Sequence, residues 1–322
     1  MNSIILGAYY VFKPFLTRRT QIYLRRHLVK WKMKKVGNIW PIDARAGNKP
    51  ENWPGWPDGK KFAFVLTHDV ERQGGVEKCL QLMEIVKKHG FRSSFNFVPH
   101  DYAVPRELRK QLMDSGFEVG VHGLNHDGNM FRDRALFERQ SVQINKILKD
   151  WGSAGFRAPS MYHNLEWIHD LDIEYDSSTF DTDPFEPQPD GVGTIFPFSM
   201  NGSDSRPGYI ELPYTLPQDF LLFIVLRQKN IDVWKKKLDW IAEKGGMVNF
   251  IVHPDYINFG GPKLSFDEYP VEYFEELLDY VKCRYEGQYW QPLPKDVAKF
   301  YKENLFRNVD SNDLKDKTSG KT

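Results

Sequence analysis

The sequence predicts an α/β fold built on a parallel sheet, open or closed into a barrel. Short apolar runs alternate with helix-spaced apolar positions over ~240 residues, the pattern of successive strand–helix units. The 322 residues are 41% hydrophobic and 27% charged, which excludes disordered, collagen-like and disulfide-scaffold classes for the whole chain. No repeat with a period of about 20–50 residues is present, which excludes a solenoid. The length suits two domains of ~150 residues or one barrel of ~250.

Each element follows from local pattern. Phe62 to Thr67 is a short buried strand, and Val76, Cys79, Leu80, Met83 and Val86 then keep helical spacing up to a stop at Gly90. Phe91 to Val98 is a strand, Arg106 to Ser115 a helix and Phe117 to Val121 a strand. Phe131 to Trp151 is a long helix, followed by a strand over Gly155 to Arg157, a helix over Asn164 to Leu171 and a strand over Ile173 to Ser178. Residues 181–208 are rich in Pro and Gly and form a long loop. A strand at Ile210 to Tyr214, a helix at Asp232 to Glu243, a strand at Met247 to Val252 and a helix at Val271 to Lys282 complete the series.

The ends of the chain differ from this body. Residues 1–42 hold nine Lys or Arg and no Asp or Glu, so a net charge of +1 divides into +9 on this leader and −8 on the rest. Its apolar part, Ile4 to Phe15, precedes most of the charges, contains Lys13 and Pro14, and lacks a small-x-small cleavage site, which argues against a secretory signal. Arg18 to Lys35 has helical pattern with two opposed stripes: Ile22, Val29 and Met33 on one side, Leu24, Leu28 and Trp31 on the other. That suits a helix docked on its own domain and touching a second surface; the plainer reading is a docking helix with solvated charges, and the others give it anionic lipid or a partner. The expected organisation is a basic leader (1–42), a Pro/Gly/Trp-rich linker (43–60), one catalytic domain (61–305) and a polar tail (306–322). No run of about 18 apolar residues crosses a membrane, and Cys79 and Cys283 make no disulfide framework or CxxC motif. The expected location is the cytoplasm, with possible peripheral contact between residues 1–42 and an anionic membrane. The small net charge argues against nucleic acid as a partner.

In parallel α/β folds the chemistry gathers at the carboxyl ends of strands. Those positions here are Thr67-His68-Asp69-Val70-Glu71, His122-Gly123-Leu124-Asn125-His126, Arg157-Ala158-Pro159-Ser160 and His253-Pro254. Four of the nine histidines and two acids are therefore expected on one rim. His122 and His126, four apart, can present two imidazoles to one metal, although Gly123 excludes the HExxH signature; exposed loop histidines are the plainer reading. Asp69 and Glu71 share a face if the strand continues, so one could hold a metal while the other takes a proton, against the plainer reading of a turn acid pair. Arg157 is either a surface cation or the partner that holds one acid ionised. His253 is either a core histidine or a proton donor to a leaving group.

Taken in order, Thr67-His68-Asp69-Val70-Glu71, His122-Gly-Leu-Asn-His126, Arg157-Ala-Pro159 and Ile251-Val-His253-Pro254 resemble the polysaccharide deacetylase family, also called the NodB-homology or carbohydrate esterase family 4 domain. The resemblance spans about residues 60–300. It implies a distorted, incompletely closed (β/α)7-type barrel with parallel strands and a divalent metal, most often zinc. By position it makes Asp69 the catalytic base, Arg157 the residue orienting it and His253 the general acid. His122 and His126 match the metal-binding histidines. The family's common Thr-Phe-Asp-Asp motif has Val70 at its metal-binding position, whereas Glu71 matches the second acid of the Asp-x-Asp variant with one extra methylene. Alternatively, Asp69 itself binds the metal and no separate base exists. The motif that tethers the acid histidine is blurred, with Asp176 and Asp181 as its candidates.

The implied activity is metal-dependent removal of acetyl groups from a sugar or polysaccharide. With no secretory signal, a lipid-linked or nucleotide-linked saccharide is favoured over finished cell wall. The alternatives are a non-catalytic sugar-binding or scaffold member, and a hydrolase of other C–N bonds such as those of cyclic ureides.

Overall fold

The computed structural model describes residues 16–304, apart from 38, 52, 203–206 and 262; the apolar start of the leader and the tail from 306 lie outside the described residues. In chain order the main elements begin with α1 (Arg18–Val36), β1 (Phe62–Val70), α2 (Gln73–Lys88), β2 (Ser93–Phe97), α3 (Arg106–Asp114) and β3 (Glu118–Val121). Next come α4 (Arg134–Trp151), β4 (Gly155–Phe156), α5 (Leu165–Ile168), β5 (Tyr175–Asp176), β6 (Phe198–Met200) and β7 (Tyr209–Glu211). The last are α6 (Asp232–Lys244), β8 (Met247–Val252), β9 (Ile257–Asn258), β10 (Tyr269–Pro270), α7 (Glu272–Tyr285) and β11 (Tyr289–Trp290).

The sheet runs β8-β1-β2-β3-β4-β5-β7-β6, with β11 beside the beginning of β1. From β8 through β7 every neighbour is parallel, and β6 alone is antiparallel, against β7. The sheet curls into a barrel that does not close. No ladder joins β7 to β8; the Thr215 and Leu216 N–H groups merely donate to the Asn249 carbonyl at 2.9 and 3.4 Å. This is the distorted, incompletely closed barrel that the family resemblance implies.

The two-residue period of β1 and β8 divides the protein into two compartments. Phe62, Phe64, Leu66 and Val70, with Val248, Phe250 and Val252, pack outward in the main core beneath the helices. Ala63, Val65 and Met247 face inward to a smaller apolar cluster. Farther along the same inward face the side chains become polar: Thr67, Asp69 and Asn249 are all buried. The barrel therefore opens, at its carboxyl rim, onto a charged interior.

Several elements differ from the sequence pattern for visible reasons. β1 continues past Thr67 to Val70, because His68 and Val70 pack outward while Asp69 finds polar partners inside. The helix expected over 164–171 is only Leu165–Ile168, capped by the Asn164 side chain. The long loop over 181–208 carries the edge strand β6. Beyond β7, Phe220–Val225 forms one buried, wide helical turn that periodicity did not reveal. Residues 43–60 contain two short 3-10 turns, Ala44–Gly47 and Pro57–Gly59.

α1 docks against that wide turn. Ile22 and Val29 are buried and Met33 packs on the core, whereas Leu24 and Trp31 of the opposite stripe are 42% and 44% exposed. Among the described residues no helix is long and apolar enough to cross a membrane.

Candidate active site

A cavity of about 480 Å³ opens at the carboxyl rim, and Asp69, Glu71, His122, His126 and His253 all line it. Asp69 comes from the inward face of β1. Its Oδ1 accepts from Arg157 Nη1 and from Asn96 Nδ2, each at 2.8 Å, leaving Oδ2 as the oxygen open to a reactant. Gly120 makes that arrangement possible, since a Cβ there would stand 2.2 Å from Asn96 Oδ1.

Arg157 is fully buried and every arm of its fork is used. Nε donates to the Ser177 carbonyl, Nη2 to Ser177 Oγ and Nη1 to both Thr67 Oγ1 and Asp69. The guanidinium is thus fixed before any substrate arrives. Burial alone would raise the Asp69 carboxyl, but Arg157 together with His122 and His253 outweighs it and holds the group well below the usual carboxylate range.

His122 follows β3. Its Nδ1 lies 3.0 Å from the Arg157 carbonyl, which can only accept, so Nδ1 carries the proton and Nε2 keeps its lone pair. Burial lowers this imidazole to about 4, so it is neutral at physiological pH. The turn after it needs glycine: Gly123 has φ +66, and a Cβ there would meet Pro159 Cγ at 2.4 Å. His126 sits on the next stretch, where Asp101 accepts its backbone N–H at 2.8 Å and the Asn125 amide at 3.0 Å. Glu71 Oε1 lies 3.2 Å from His126 Nε2 and 3.8 Å from His253 Nε2, while Glu71 Oε2 accepts from the Tyr256 hydroxyl. Burial opposes ionisation of Glu71, yet its contacts with His126, and beyond it His253 and Arg18, hold it well below its ordinary value.

His253 ends β8. Its Nδ1 meets Asp219 Oδ1 at 2.6 Å and its backbone N–H donates to Asp219 Oδ2 at 2.8 Å. Asp219 also accepts from Tyr269 at 3.0 Å and from the Phe220 N–H at 2.7 Å. Burial would lower the imidazole; Asp219 reverses this and pushes it up to about 10. His253 is therefore a cation at neutral pH, with Nε2 on the cavity side.

No protein-family profile matches the chain, and no curated protein does. Solved structures do. A Mycobacterium smegmatis protein assigned to the polysaccharide deacetylases covers 78% of this chain and 93% of its own, at 17% identity and TM-score 0.60. One similarly assigned from Pseudomonas aeruginosa PAO1 covers 81% and 97%, at 16% identity and TM-score 0.60. The chain has the polysaccharide deacetylase fold. The Puue allantoinase shares it, covering 81% of this chain and 96% of its own, at 15% identity and TM-score 0.60. At these identities the likeness is one of fold.

Within the deacetylase fold, the residues at the strand ends divide into those that meet and those that do not. Asp69, Glu71, Arg157, His122, His126 and His253 converge. His68 does not: one residue from Asp69, it points to the opposite face, lies tilted against the Phe95 ring at 4.7 Å between centroids and places Nδ1 3.2 Å from the Val252 carbonyl. Burial lowers it to about 3, so it is a neutral core histidine, and three histidines rather than four share the rim. Neither Asp176 nor Asp181 supports His253. Asp176 accepts from Ser178 at 2.6 Å, and Asp181 pairs with Lys237 at 2.8 Å. The supporting acid is Asp219, in the connection after β7. It lies well beyond the end of β7, and no motif marks it. Asn96, Asp101 and Tyr256 carry no motif and emerge only from the geometry.

The metal expected from the sequence can be tested against these donors. Among the described residues no group of three or more His, Cys, Asp and Glu side chains stands gathered as a finished metal cage. The donor chemistry nonetheless fits. His122 offers an Nε2 lone pair backed by a carbonyl on Nδ1, the usual support of a metal-binding imidazole. The 3.2 Å between Glu71 Oε1 and His126 Nε2 matches the ~3.3 Å edge of a tetrahedron with bonds of ~2.0 Å. The His122 and His126 rings stand 5.3 Å apart between centroids.

Proposed function

We propose that this chain is a metal-dependent hydrolase that removes an acetyl group from an acetylated saccharide. The observation carrying this reading is the pairing of two groups that line one cavity: Asp69 with Arg157 at 2.8 Å, which favours the ionised acid, and His253 with Asp219 at 2.6 Å, which favours the protonated imidazole. A base and an acid whose environments drive their pKa values apart are what amide hydrolysis needs.

Glu71, His122 and His126 are the residues that would hold the divalent ion, most simply zinc, which would supply Lewis-acid polarisation of the acetyl carbonyl. Asp69 Oδ2 takes the proton from the attacking water, with Arg157 and Asn96 fixing the carboxylate through its other oxygen. His253 Nε2 then gives its proton to the departing amine nitrogen, and Asp219 stabilises the imidazolium until transfer. Leaving as a neutral amine rather than an amide anion removes the main barrier to C–N cleavage.

The test is metal analysis followed by acetate release from a panel of N- and O-acetylated saccharides, with allantoin as a ureide control. Acetate release that disappears in Asp69→Asn supports the reading. Hydrolysis of allantoin with no acetate released from any saccharide would replace it.

A further inference from the structure

Two arginines of α1 enter the cavity that holds the reacting groups. The inward cations of this helix divide by task. Arg26 donates twice to the Ile224 carbonyl, at 2.9 and 2.8 Å, and Lys32 donates to the Pro184 carbonyl at 3.0 Å. Those bonds fasten the helix to the domain. Arg18 and Arg25 instead line the cavity. Seven residues apart, they lie two turns from each other on one face, about 10 Å along the axis.

Neither forms an ion pair there. Among the described residues no carboxylate lies within 4.0 Å of either guanidinium. Arg18 Nη2 donates to the Tyr256 hydroxyl at 2.8 Å, and its Nε is buried without a hydrogen-bond partner. Both guanidiniums lie against the Phe220 ring, at 5.2 and 5.0 Å from its centroid, which keeps them within about 10 Å of each other. The third arginine of the cavity, Arg72, is by contrast committed to Asp255 at 3.3 Å and Asp267 at 3.5 Å. The carboxylates Glu71 and Glu186 line the same cavity but stand beyond 4.0 Å from both guanidiniums, so neither fork holds a carboxylate and an entering anion can take that place. The planar guanidinium fork suits phosphate oxygens in particular.

We propose that Arg18 and Arg25 bind a phosphate or diphosphate group of the substrate, so that the saccharide deacetylated at this site is one linked to phosphate. The inference rests on the deacetylase reading and names the substrate class for it. A nucleotide carrier and a lipid carrier offer the same diphosphate, so both belong in the test.

Four acetylated probes distinguish them: N-acetylglucosamine, its 1-phosphate, its uridine diphosphate conjugate and its short-chain prenyl diphosphate conjugate. The expected result is a kcat/KM about tenfold or more higher for phosphate-bearing probes than for the neutral sugar, as for a hydrogen bond to a charged group. The higher of the two conjugates identifies the carrier. Inorganic diphosphate should compete, and its inhibition constant should rise about tenfold in Arg25→Gln. Arg18→Gln should act similarly. Because Arg18 also braces Tyr256, Arg25→Gln is the decisive variant: its side chain makes no hydrogen bond to a described residue. Equal kcat/KM for neutral and phosphorylated probes, with acetate released from both, would overturn the inference and leave the deacetylase reading intact. Arginine-dependent diphosphate binding by calorimetry, with no acetate released from any probe, would support the anion site and defeat the deacetylase reading instead. Diphosphate inhibition unchanged in Arg25→Gln would also overturn the inference.

Discussion

Asp219 grips His253 at two points, taking its ring Nδ1 at 2.6 Å and its backbone N–H at 2.8 Å. The ring is thereby oriented and charged by one carboxylate. Asp219→Asn removes the main influence that raises His253, and burial then acts unopposed to lower it. The alkaline limb of the pH–rate profile should move to lower pH, with turnover reduced about 10²–10⁴-fold at pH 8. A pH titration of kcat for wild type and variant checks this. An unchanged alkaline limb would detach it from His253.

The same bond links to stability. His253 is raised from 6.5 to about 10, so its contribution is fully present below about 6.5 and is lost as pH rises toward about 10. Denaturation midpoints measured across that window should fall with pH in the wild type and fall less in Asp219→Asn.

Arg157 and Asp69 form a buried pair at 2.8 Å. Arg157→Met leaves the Asp69 carboxylate buried without its counter-charge and should cost about 3–5 kcal/mol of stability at neutral pH. Asp69 is held low in the folded protein, so its contribution is present above the ordinary carboxylate pKa and is lost as pH falls through the depressed folded value. In the variant that carboxyl rises, and the acid limb of activity should move to higher pH. Urea titration and a pH–rate profile read the two effects separately.

Metal binding should depend on His122, His126 and Glu71. The double variant His122→Ala/His126→Ala should lose the metal by elemental analysis of the dialysed protein. Glu71→Asp shortens the acid by one methylene and should keep or tighten binding. Full occupancy in the double variant would place the metal elsewhere.

The outer stripe of α1 presents Tyr23, Leu24 and Trp31 to solvent, with Lys35 4.0 Å from the Trp31 ring. Apolar and aromatic residues interleaved with cations suit an anionic bilayer surface. Full-length protein should sediment with phosphatidylglycerol vesicles at low salt and be released by added salt. Leu24→Glu/Trp31→Glu should abolish it. Equal sedimentation of wild type and variant would exclude this face.

The sequence exposed the fold and most of the site for one reason. A parallel α/β chain deposits its reactive residues just after apolar runs, so short motifs at strand ends can be found without knowing how the strands pair. What it hid depends on side-chain direction and on pairing across the chain. His68 and Asp69 are adjacent in sequence but face opposite compartments, and only the extension of β1 decides which. Asp219 reaches His253 from 34 residues away, through a connection with no regular pattern. Arg18 and Arg25 belong to a leader legible only as basic and helical, since nothing local indicates that α1 lies beside the barrel mouth.

The acid–base division between Asp69 and His253 is tested most directly with two acetyl donors measured side by side in His253→Ala. One is an N-acetyl saccharide, whose amine must be protonated to leave; the other is an activated aryl acetate, whose phenolate leaves without a proton. Turnover of the saccharide should fall about 10²–10⁴-fold, the range for losing general acid help, and turnover of the aryl ester much less. Equal losses on both substrates would mean that His253 does not act as the proton donor.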